Sequence, residues 1–452
     1  MKQKPLLLFT LVVLFSGCAS KMTPLPESLP IESARNWEVS DLKLLSKNII
    51  AMDQSTELQQ YITQVLNNNP DLKSLSATAK AASYNIKIAN AENRPRADLN
   101  LTGSRNKDIL KEIGNAVSLG MDVSWTLDLW GKLSDDADAA QHLADKSQYD
   151  LQQLRRVLII QAARLWIEYR GYAKAEKYLI DLNRIQADLV NYYQDAYQAG
   201  LIPFSYYQGA FQVGLVPYEF FLDAKNSQKR SQSRLREIQL EKLMVLQLMN
   251  TLRGRSPAAE LFVGDDFIPI HLVALESDIP ATALVNRPDI QAAFSEMRAF
   301  RRLESAAHKA LLPQINLTAS TSKSGATLEK ALRGDLVWQL IGGLTQPLFN
   351  SAQIKATAKQ KSAESEALWW QYQNTVLKAM REVENAMAID NLLSWRIDQK
   401  QAEFSGSEKK LSSAEERFID GNLSLSDYFL IKIERIESLI ELNDSEVRYL
   451  KN

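Results

Sequence analysis

The sequence Asn-Pro-Asp at residues 69–71 opens a helical stretch that runs to Pro95, and the sequence Asn-Arg-Pro-Asp at residues 286–289 opens a second stretch that runs to Pro313. The first prolines of the two stretches and their last prolines are each 218 residues apart (288 − 70 and 313 − 95). The chain therefore contains two copies of one long unit. A repeat of this length predicts the architecture of the whole protein.

Each copy continues into a predicted β-hairpin, over residues 97–129 in the first and 315–348 in the second. From Val117 to Leu129, apolar and polar side chains alternate over 13 residues, which is the period of a strand with two different faces. In a soluble sheet the apolar face would cover a core, whereas in an outer-membrane barrel it would face lipid and the polar face would line water. Four strands cannot close around a lumen, so a membrane sheet of this kind would need copies of itself.

After each hairpin, apolar residues recur in steps of three and four, from Ser134 to Tyr197 and from Ser351 to about Arg417. The apolar positions of the first stretch are Leu151, Leu154, Leu158, Ala162, Leu165, Tyr169, Tyr172, Ala175, Leu179, Leu182, Ile185 and Leu189. This spacing is typical of coiled coils, and 64 helical residues would reach roughly 95 Å. We expect two antiparallel helical hairpins that turn near Gly200 and Gly421.

The N-terminal segment is typical of a signal peptide, with Lys2 and Lys4 before an apolar run at residues 6–15. Cys18 follows a small-residue cleavage site and resembles the lipid-modified cysteine of bacterial lipoproteins; the alternative is an ordinary cleaved signal with an incidental cysteine. Because Cys18 is the only cysteine, a disulfide within the chain is excluded. No other stretch is apolar enough for a transmembrane helix, so a mature chain that crosses a membrane must use strands.

These features predict five segments along the chain. Residues 1–17 form the signal peptide, and residues 18–56 form a lipidated N-terminal arm. Residues 57–250 form the first repeat and residues 286–452 the second. The connector at residues 251–285 differs from both because Gly and Pro interrupt its short apolar runs.

Three stretches resemble the motifs of the outer-membrane factor family, the TolC/NodT-type outer-membrane efflux lipoproteins. They are Leu-Val-Asn-Arg-Pro-Asp-Ile-Gln-Ala-Ala at 284–293, Trp-Thr-Leu-Asp-Leu-Trp-Gly-Lys at 125–132, and Gln-Pro-Leu-Phe-Asn at 346–350. Each motif alone is weak, but their order and spacing make the resemblance specific, and it covers essentially the mature chain.

The resemblance implies an α+β, mainly α fold that works as a homotrimer. Four strands per chain would form a 12-stranded β-barrel in outer-membrane lipid, and the helices would continue it as a long α-helical barrel across the periplasm. The implied function is passive export of substrates delivered by an inner-membrane efflux pump and a periplasmic adaptor protein.

The resemblance also implies a periplasmic gate at the helical tips, where acids occupy the sixth and ninth positions after a turn glycine. Counted from Gly421, the sixth position is Asp427, but the ninth is Leu430, so we expect a more apolar gate. Asp420, beside the turn, is a weaker candidate. The alternative for Asp427 is a solvated carboxylate at a helix start, where negative charge is favourable.

The first predicted tip contains a tandem duplication, in which residues 206–219 nearly copy residues 192–205. Fourteen residues are two heptads, so the insertion keeps the coiled-coil register. The duplication supplies a second turn glycine, Gly214, beside Gly200. We expect a longer or doubled tip that contacts the adaptor, with Gly200, Gly214 and Gly421 at the turns; the alternative is a segment looped out into solvent.

The residues that would indicate catalysis or a cofactor do not recur at suitable spacing. The three histidines, His142, His271 and His308, are scattered and predict no metal site. A net charge of −1 implies no bulk attraction to nucleic acid. The sequence therefore predicts no enzyme and no cofactor. Besides the export duct, the alternative function is a non-conducting lipoprotein whose coiled coils tether the outer membrane to periplasmic partners; the two-faced hairpins favour the duct.

Overall fold

The structure is a computed structural model that describes residues 56–107, 113–198, 218–261, 263, 284–349 and 351–452. The elements in the first part of the chain are α1 (Thr56–Asn68), α2 (Pro70–Glu92), β1 (Arg96–Lys107), β2 (Ile113–Leu127), α3 (Lys132–Gln198) and α4 (Tyr218–Leu252). Those in the second part are α5 (Pro288–Lys309), β3 (Gln314–Gly325), α6 (Leu328–Arg333), β4 (Val337–Thr345), α7 (Ser351–Ile419) and α8 (Leu425–Lys451).

The described residues form two compact units. The first unit contains the sheet and comprises residues 77–107, 113–150, 284–349 and 351–377. The second unit is helical and comprises residues 56–76, 151–198, 218–261, 263 and 378–452. The two longest helices, α3 with 67 residues and α7 with 69, contribute to both units.

The first unit contains one antiparallel sheet with the strand order β1-β2-β3-β4. Leu99 of β1 lies opposite Met121 of β2, and Met121 lies opposite Thr321 of β3. The two hairpins expected from the repeats are thus joined through β2 and β3, one strand from each repeat. Strands β1 and β4 form the edges, and an edge strand offers backbone groups for pairing with a further strand.

The helical stretch that precedes β1 is divided in two at Asn69. The Asn69 side-chain oxygen accepts the backbone N–H of Leu72 at 3.0 Å, which caps the start of α2. Pro70 occupies the first helical position, where a missing N–H costs nothing. The Asn-Pro-Asp sequence that marks the repeat is therefore the start of α2.

The apolar stripe expected along α3 forms the core of the second unit. Its buried members in this unit are Leu151, Leu158, Ala162, Leu165, Ala175, Leu179, Leu182, Ile185 and Leu189. Ile436 and Ile440 of α8 pack against Leu179, Leu182 and Ile185, together with residues of α4. The return helix of the second repeat thus lies beside the long helix of the first.

Helix α4 ends in a polar cluster around Arg253. Gly254 has φ 71°, and the N–H of Arg255 donates to the Asn250 carbonyl at 2.9 Å, as in a left-handed glycine cap. The Arg253 guanidinium donates to the Asn250 side-chain oxygen at 2.8 Å and also to the Glu260 carbonyl. This cluster ends α4 and holds the chain that follows, as far as Glu260, against the end of the helix.

Candidate functional site

The sheet has one apolar face, to which all four strands contribute. Large side chains on this face are exposed to the surroundings: Leu99 77%, Leu101 62%, Met121 41%, Trp125 36%, Trp338 75%, Leu340 69% and Leu344 69%. A soluble protein rarely exposes an apolar patch of this extent. Such a patch marks a surface that contacts another protein or a membrane. The apolar face predicted for the second strand therefore extends across the whole sheet.

The opposite face of the sheet is polar on β1, β2 and β3, whereas on β4 it also carries Val337 and Ile341. Its members include Asp98, Asn100, Thr102, Asp122, Ser124, Thr126, Asn316, Thr318 and Ser320. Asn100 donates to the Asp122 carboxylate at 2.5 Å, and Thr126 donates to the Asn316 side-chain oxygen at 2.8 Å. Hydrogen-bonded polar side chains across neighbouring strands make this face suitable for contact with water.

Asp128 directly follows the last residue of β2, and its side chain contacts the start of α3. Its carboxylate accepts the backbone N–H groups of Leu133 and Ser134 at 3.0 and 2.9 Å, and the Ser134 hydroxyl at 2.7 Å. Burial by itself raises the pKa of the Asp128 carboxyl, but these hydrogen bonds outweigh it and hold the pKa below its ordinary value. The carboxylate thus satisfies donors that a helix start leaves free.

The same junction connects the two repeats. The indole N–H of Trp130 donates to the Pro313 carbonyl at 2.7 Å, directly before β3. Gly131 has φ 73°, which a side chain would strain, and the Lys309 ammonium donates to its carbonyl at 3.2 Å. The motif at residues 125–132 therefore joins the connection between β2 and α3 to the connection between α5 and β3.

Asp135, in the first turn of α3, lies in an ion-pair cluster with two cations of α5. Lys309 Nζ lies 2.5 Å from one carboxylate oxygen, and Arg302 Nη1 lies 3.2 Å from the other. The Asp135 side chain is only 6% exposed. Sequence reasoning missed this cluster, because the partners are 174 and 167 residues away and their spacing gives no local signal.

The helix turn at Gly421 has the hydrogen bonds of a Schellman motif. Gly421 has φ 73°, its N–H donates to the Phe418 carbonyl at 3.1 Å, and the Asn422 N–H donates to the Arg417 carbonyl at 2.8 Å. The Phe418 and Tyr428 rings stack across the turn with centroids 4.9 Å apart. The glycine thus ends α7 and starts the return to α8.

Ser424 caps the start of α8, and Asp427 lies in the first turn of this helix. The Asp427 N–H donates to the Ser424 hydroxyl oxygen at 3.1 Å, and the Ser424 hydroxyl lies 2.6 Å from the Asp427 carboxylate. Asp427 is exposed, as are Asp420 and Leu430. Within one chain, Asp427 therefore has the helix-start role considered above, and its exposed carboxylate is still accessible to a neighbour or to an ion.

Several predicted sites lie outside the described residues: Cys18, Gly200, Gly214 and most of the duplication at 192–219. His271, for which no site was predicted, also lies outside them. In the part of the chain that the structure describes, no group of three or more His, Cys, Asp or Glu side chains could hold a metal ion. Every described helix is too short or too polar to cross a bilayer.

Sequence reasoning also missed a buried polar network between α3 and α4. The Ser231 hydroxyl lies 2.6 Å from the Asn183 side-chain oxygen and 2.5 Å from that of Gln186. Ser231 and Gln186 are buried. Polar residues within the apolar stripe were the available signal, since a buried polar contact can define the register of a coiled coil.

Comparison with known proteins agrees with this geometry. The family model described as "Outer membrane efflux protein" matches residues 61–243 and 279–428. The pyoverdine export outer membrane protein OpmQ of Pseudomonas putida is 25% identical over 88% of this chain and 86% of its own. The probable outer membrane lipoprotein SilC of Salmonella typhimurium is 22% identical over 81% of this chain and 77% of its own.

The fold is that of solved outer-membrane channels. The open-state MtrE outer membrane channel of Neisseria gonorrhoeae superposes with a TM-score of 0.79 at 18% identity, over 96% of each chain. The predicted family, fold class and outer-membrane location are confirmed. The chain belongs to the outer membrane efflux protein family, whose members are export channels of the outer membrane.

Proposed function

We propose that three copies of this chain form one export duct. The observation that carries the proposal is the four-stranded sheet with an exposed apolar face and two edge strands, β1 and β4. Pairing β4 of each copy with β1 of the next would close three sheets into a 12-stranded barrel and remove every edge. The apolar face would then contact lipid, and the polar face would line the lumen.

The helices would extend the lumen into the periplasm. Substrates would arrive from an inner-membrane pump through a periplasmic adaptor that contacts the tips at Gly421 and at the duplicated segment 192–219. The duct would supply no energy. A lipid on Cys18 would add a membrane anchor, and the name of the lipoprotein SilC supports this assignment.

A matched pair of neighbouring residues on β3 tests which face contacts water. Ala319 lies on the apolar face and Ser320 on the polar face. In membranes, a membrane-impermeant maleimide should label Ser320→Cys and spare Ala319→Cys, with the parent chain as the control for Cys18. Equal labelling at both positions would exclude a barrel with this orientation.

Planar-bilayer recording distinguishes the duct from a non-conducting tether. Purified trimers should carry current, both as the parent chain and as Asp427→Ala. Trimers that insert but never conduct, with or without Asp427→Ala, would favour the tether.

Alanine substitutions test the duplicated tip. We expect Gly200→Ala and Gly214→Ala to differ in their effect on export, because a left-handed turn requires glycine and a looped-out segment does not. Equal tolerance at both positions would count against an extended tip.

A further inference from the structure

The short helix α6, between β3 and β4, lies on the apolar face of the sheet. A side chain at Gly325 would point toward this face, as those of Leu317 and Ala319 do, and its Cβ would lie 2.5 Å from the Ala331 backbone nitrogen. Ala331 is fully buried. Glycine at position 325 therefore allows α6 to contact the outward surface at the turn end of the sheet.

Two leucines on one side of α6 are exposed beside this surface. Leu328 is 50% and Leu332 52% exposed, and they lie four residues apart, so they share a helix face. The Thr327 side chain caps the helix by accepting the Lys330 N–H at 3.3 Å. Local capping and the contact through Ala331 hold both leucines beside the apolar rows of the strands.

Basic side chains accompany the leucines. Lys330 is an exposed residue of α6, and Lys323 Nζ, on the outward face of β3, donates to the Leu332 carbonyl at 3.4 Å. Arg333 forms an exposed ion pair with Glu329 at 3.0 Å, and Asp335 follows the helix. Apolar residues beside a basic flank are the composition of interfacial helices.

We infer that α6 is an interfacial anchor that inserts Leu328 and Leu332 into the outer leaflet and contacts its anionic headgroups through Lys323 and Lys330. The inference rests on the proposed barrel, since it requires lipid at the apolar face. A second copy of the chain does not fit as the occupant, because α6 packs on the central strands β2 and β3, whereas copies would pair at β1 and β4.

Depth-dependent quenching of a fluorophore on the full chain in phosphatidylcholine–phosphatidylglycerol vesicles tests this anchor. A label at Leu332→Cys should be quenched by lipids with a nitroxide near the headgroup and protected from aqueous iodide. A label at Leu340→Cys, on the apolar face of β4, reports on the barrel itself. A label at Asn422→Cys, at the exposed helix turn, gives the iodide quenching of a solvated position.

The outcomes separate the two proposals. If the Leu332 label is quenched by iodide as strongly as the Asn422 label while the Leu340 label stays lipid-quenched, the anchor is wrong and the barrel stands. If the Leu340 label is also open to iodide, the proposed barrel fails, and the anchor fails with it. Lipid quenching at both Leu332 and Leu340 supports the anchor.

A charge variant tests the headgroup contact without a change in the apolar surface. One basic residue near an anionic surface changes a local lipid equilibrium roughly fivefold. Nitroxide-bearing phosphatidylglycerol should quench the Leu332 label more strongly than nitroxide-bearing phosphatidylcholine does. We expect Lys330→Gln to lower this preference by about that factor. Lys432→Gln, in α8, is the control. An unchanged preference in Lys330→Gln would overturn the headgroup contact.

Discussion

Asp135 and Lys309 form an ion pair across 174 residues of sequence, with the aspartate side chain only 6% exposed. The pair connects the first turn of α3 to the last turn of α5. Because α5 leads into β3 and α3 follows β2, the contact joins two of the places where helices meet the sheet. The ion pair therefore holds the two repeats together at the base of the proposed barrel.

Replacement of Asp135 by Ala should destabilise the protein by about 2 kcal/mol, since Lys309 and Arg302 would lose their partner at a partly buried site. Thermal unfolding of trimers at fixed protein concentration measures this change. Asp136→Ala is the matched control, because its pair with Lys132 is partly solvated, with both side chains about one-third exposed, and should cost less than about 1 kcal/mol. Equal effects of the two substitutions would contradict the buried role of Asp135.

The hydrogen bonds to Asp128 predict a pH dependence of stability. Its pKa is lower in the folded than in the unfolded chain, so the unfolded chain binds the proton more readily. The stabilisation is therefore full above the unfolded pKa of about 4 and is lost as the pH falls through the lower folded value. Denaturant unfolding should show the difference between wild type and Asp128→Asn shrinking below about pH 4. A constant difference down to the lowest pH would contradict this assignment.

Two glycines of the second helical hairpin should respond oppositely to alanine. Gly421 has φ 73°, so Gly421→Ala should cost about 1 kcal/mol. Gly406 lies within α7, and a Cβ at this position would have no atom within 4 Å. Gly406→Ala should therefore stabilise the protein by about 0.5–1 kcal/mol. Thermal unfolding of both variants checks the signs. A stabilising Gly421→Ala would exclude the left-handed turn.

The network around Ser231 should define the alignment of α3 and α4. Ser231→Ala would leave the Asn183 and Gln186 side chains short of a partner, at a cost of about 1–2 kcal/mol. Ser233→Ala, at an exposed position of the same helix, is the control and should be nearly neutral. Comparable stabilities of the two variants would show that the network contributes little.

Charge at the proposed mouth should influence ion selectivity. Three copies of an exposed Asp427 would attract cations, so Asp427→Asn should reduce the cation preference seen in bilayer reversal potentials. Asp420→Asn, on the other side of the turn, should have a weaker effect. Unchanged selectivity in Asp427→Asn would leave Asp427 with its role at the helix start alone.

The sequence by itself determined which faces of the elements are apolar and where α7 ends. Side chains alternate along a strand and recur every three to four residues along a helix, so the patterns at Val117–Leu129 and Leu151–Leu189 are readable without knowing any partner. The Gly421 turn was predictable for the same local reason, since a left-handed residue that ends a helix is usually glycine.

Only the tertiary structure decided which distant residues meet. The pairing of β2 with β3, the Asp135–Lys309 contact and the Asn183–Ser231 hydrogen bond join residues that no local period relates. Helix α6 was not predicted, and its position depends on the space left by Gly325 on the outward face. These contacts follow from packing of whole elements, so their sequence signal is spread over separations of tens to hundreds of residues.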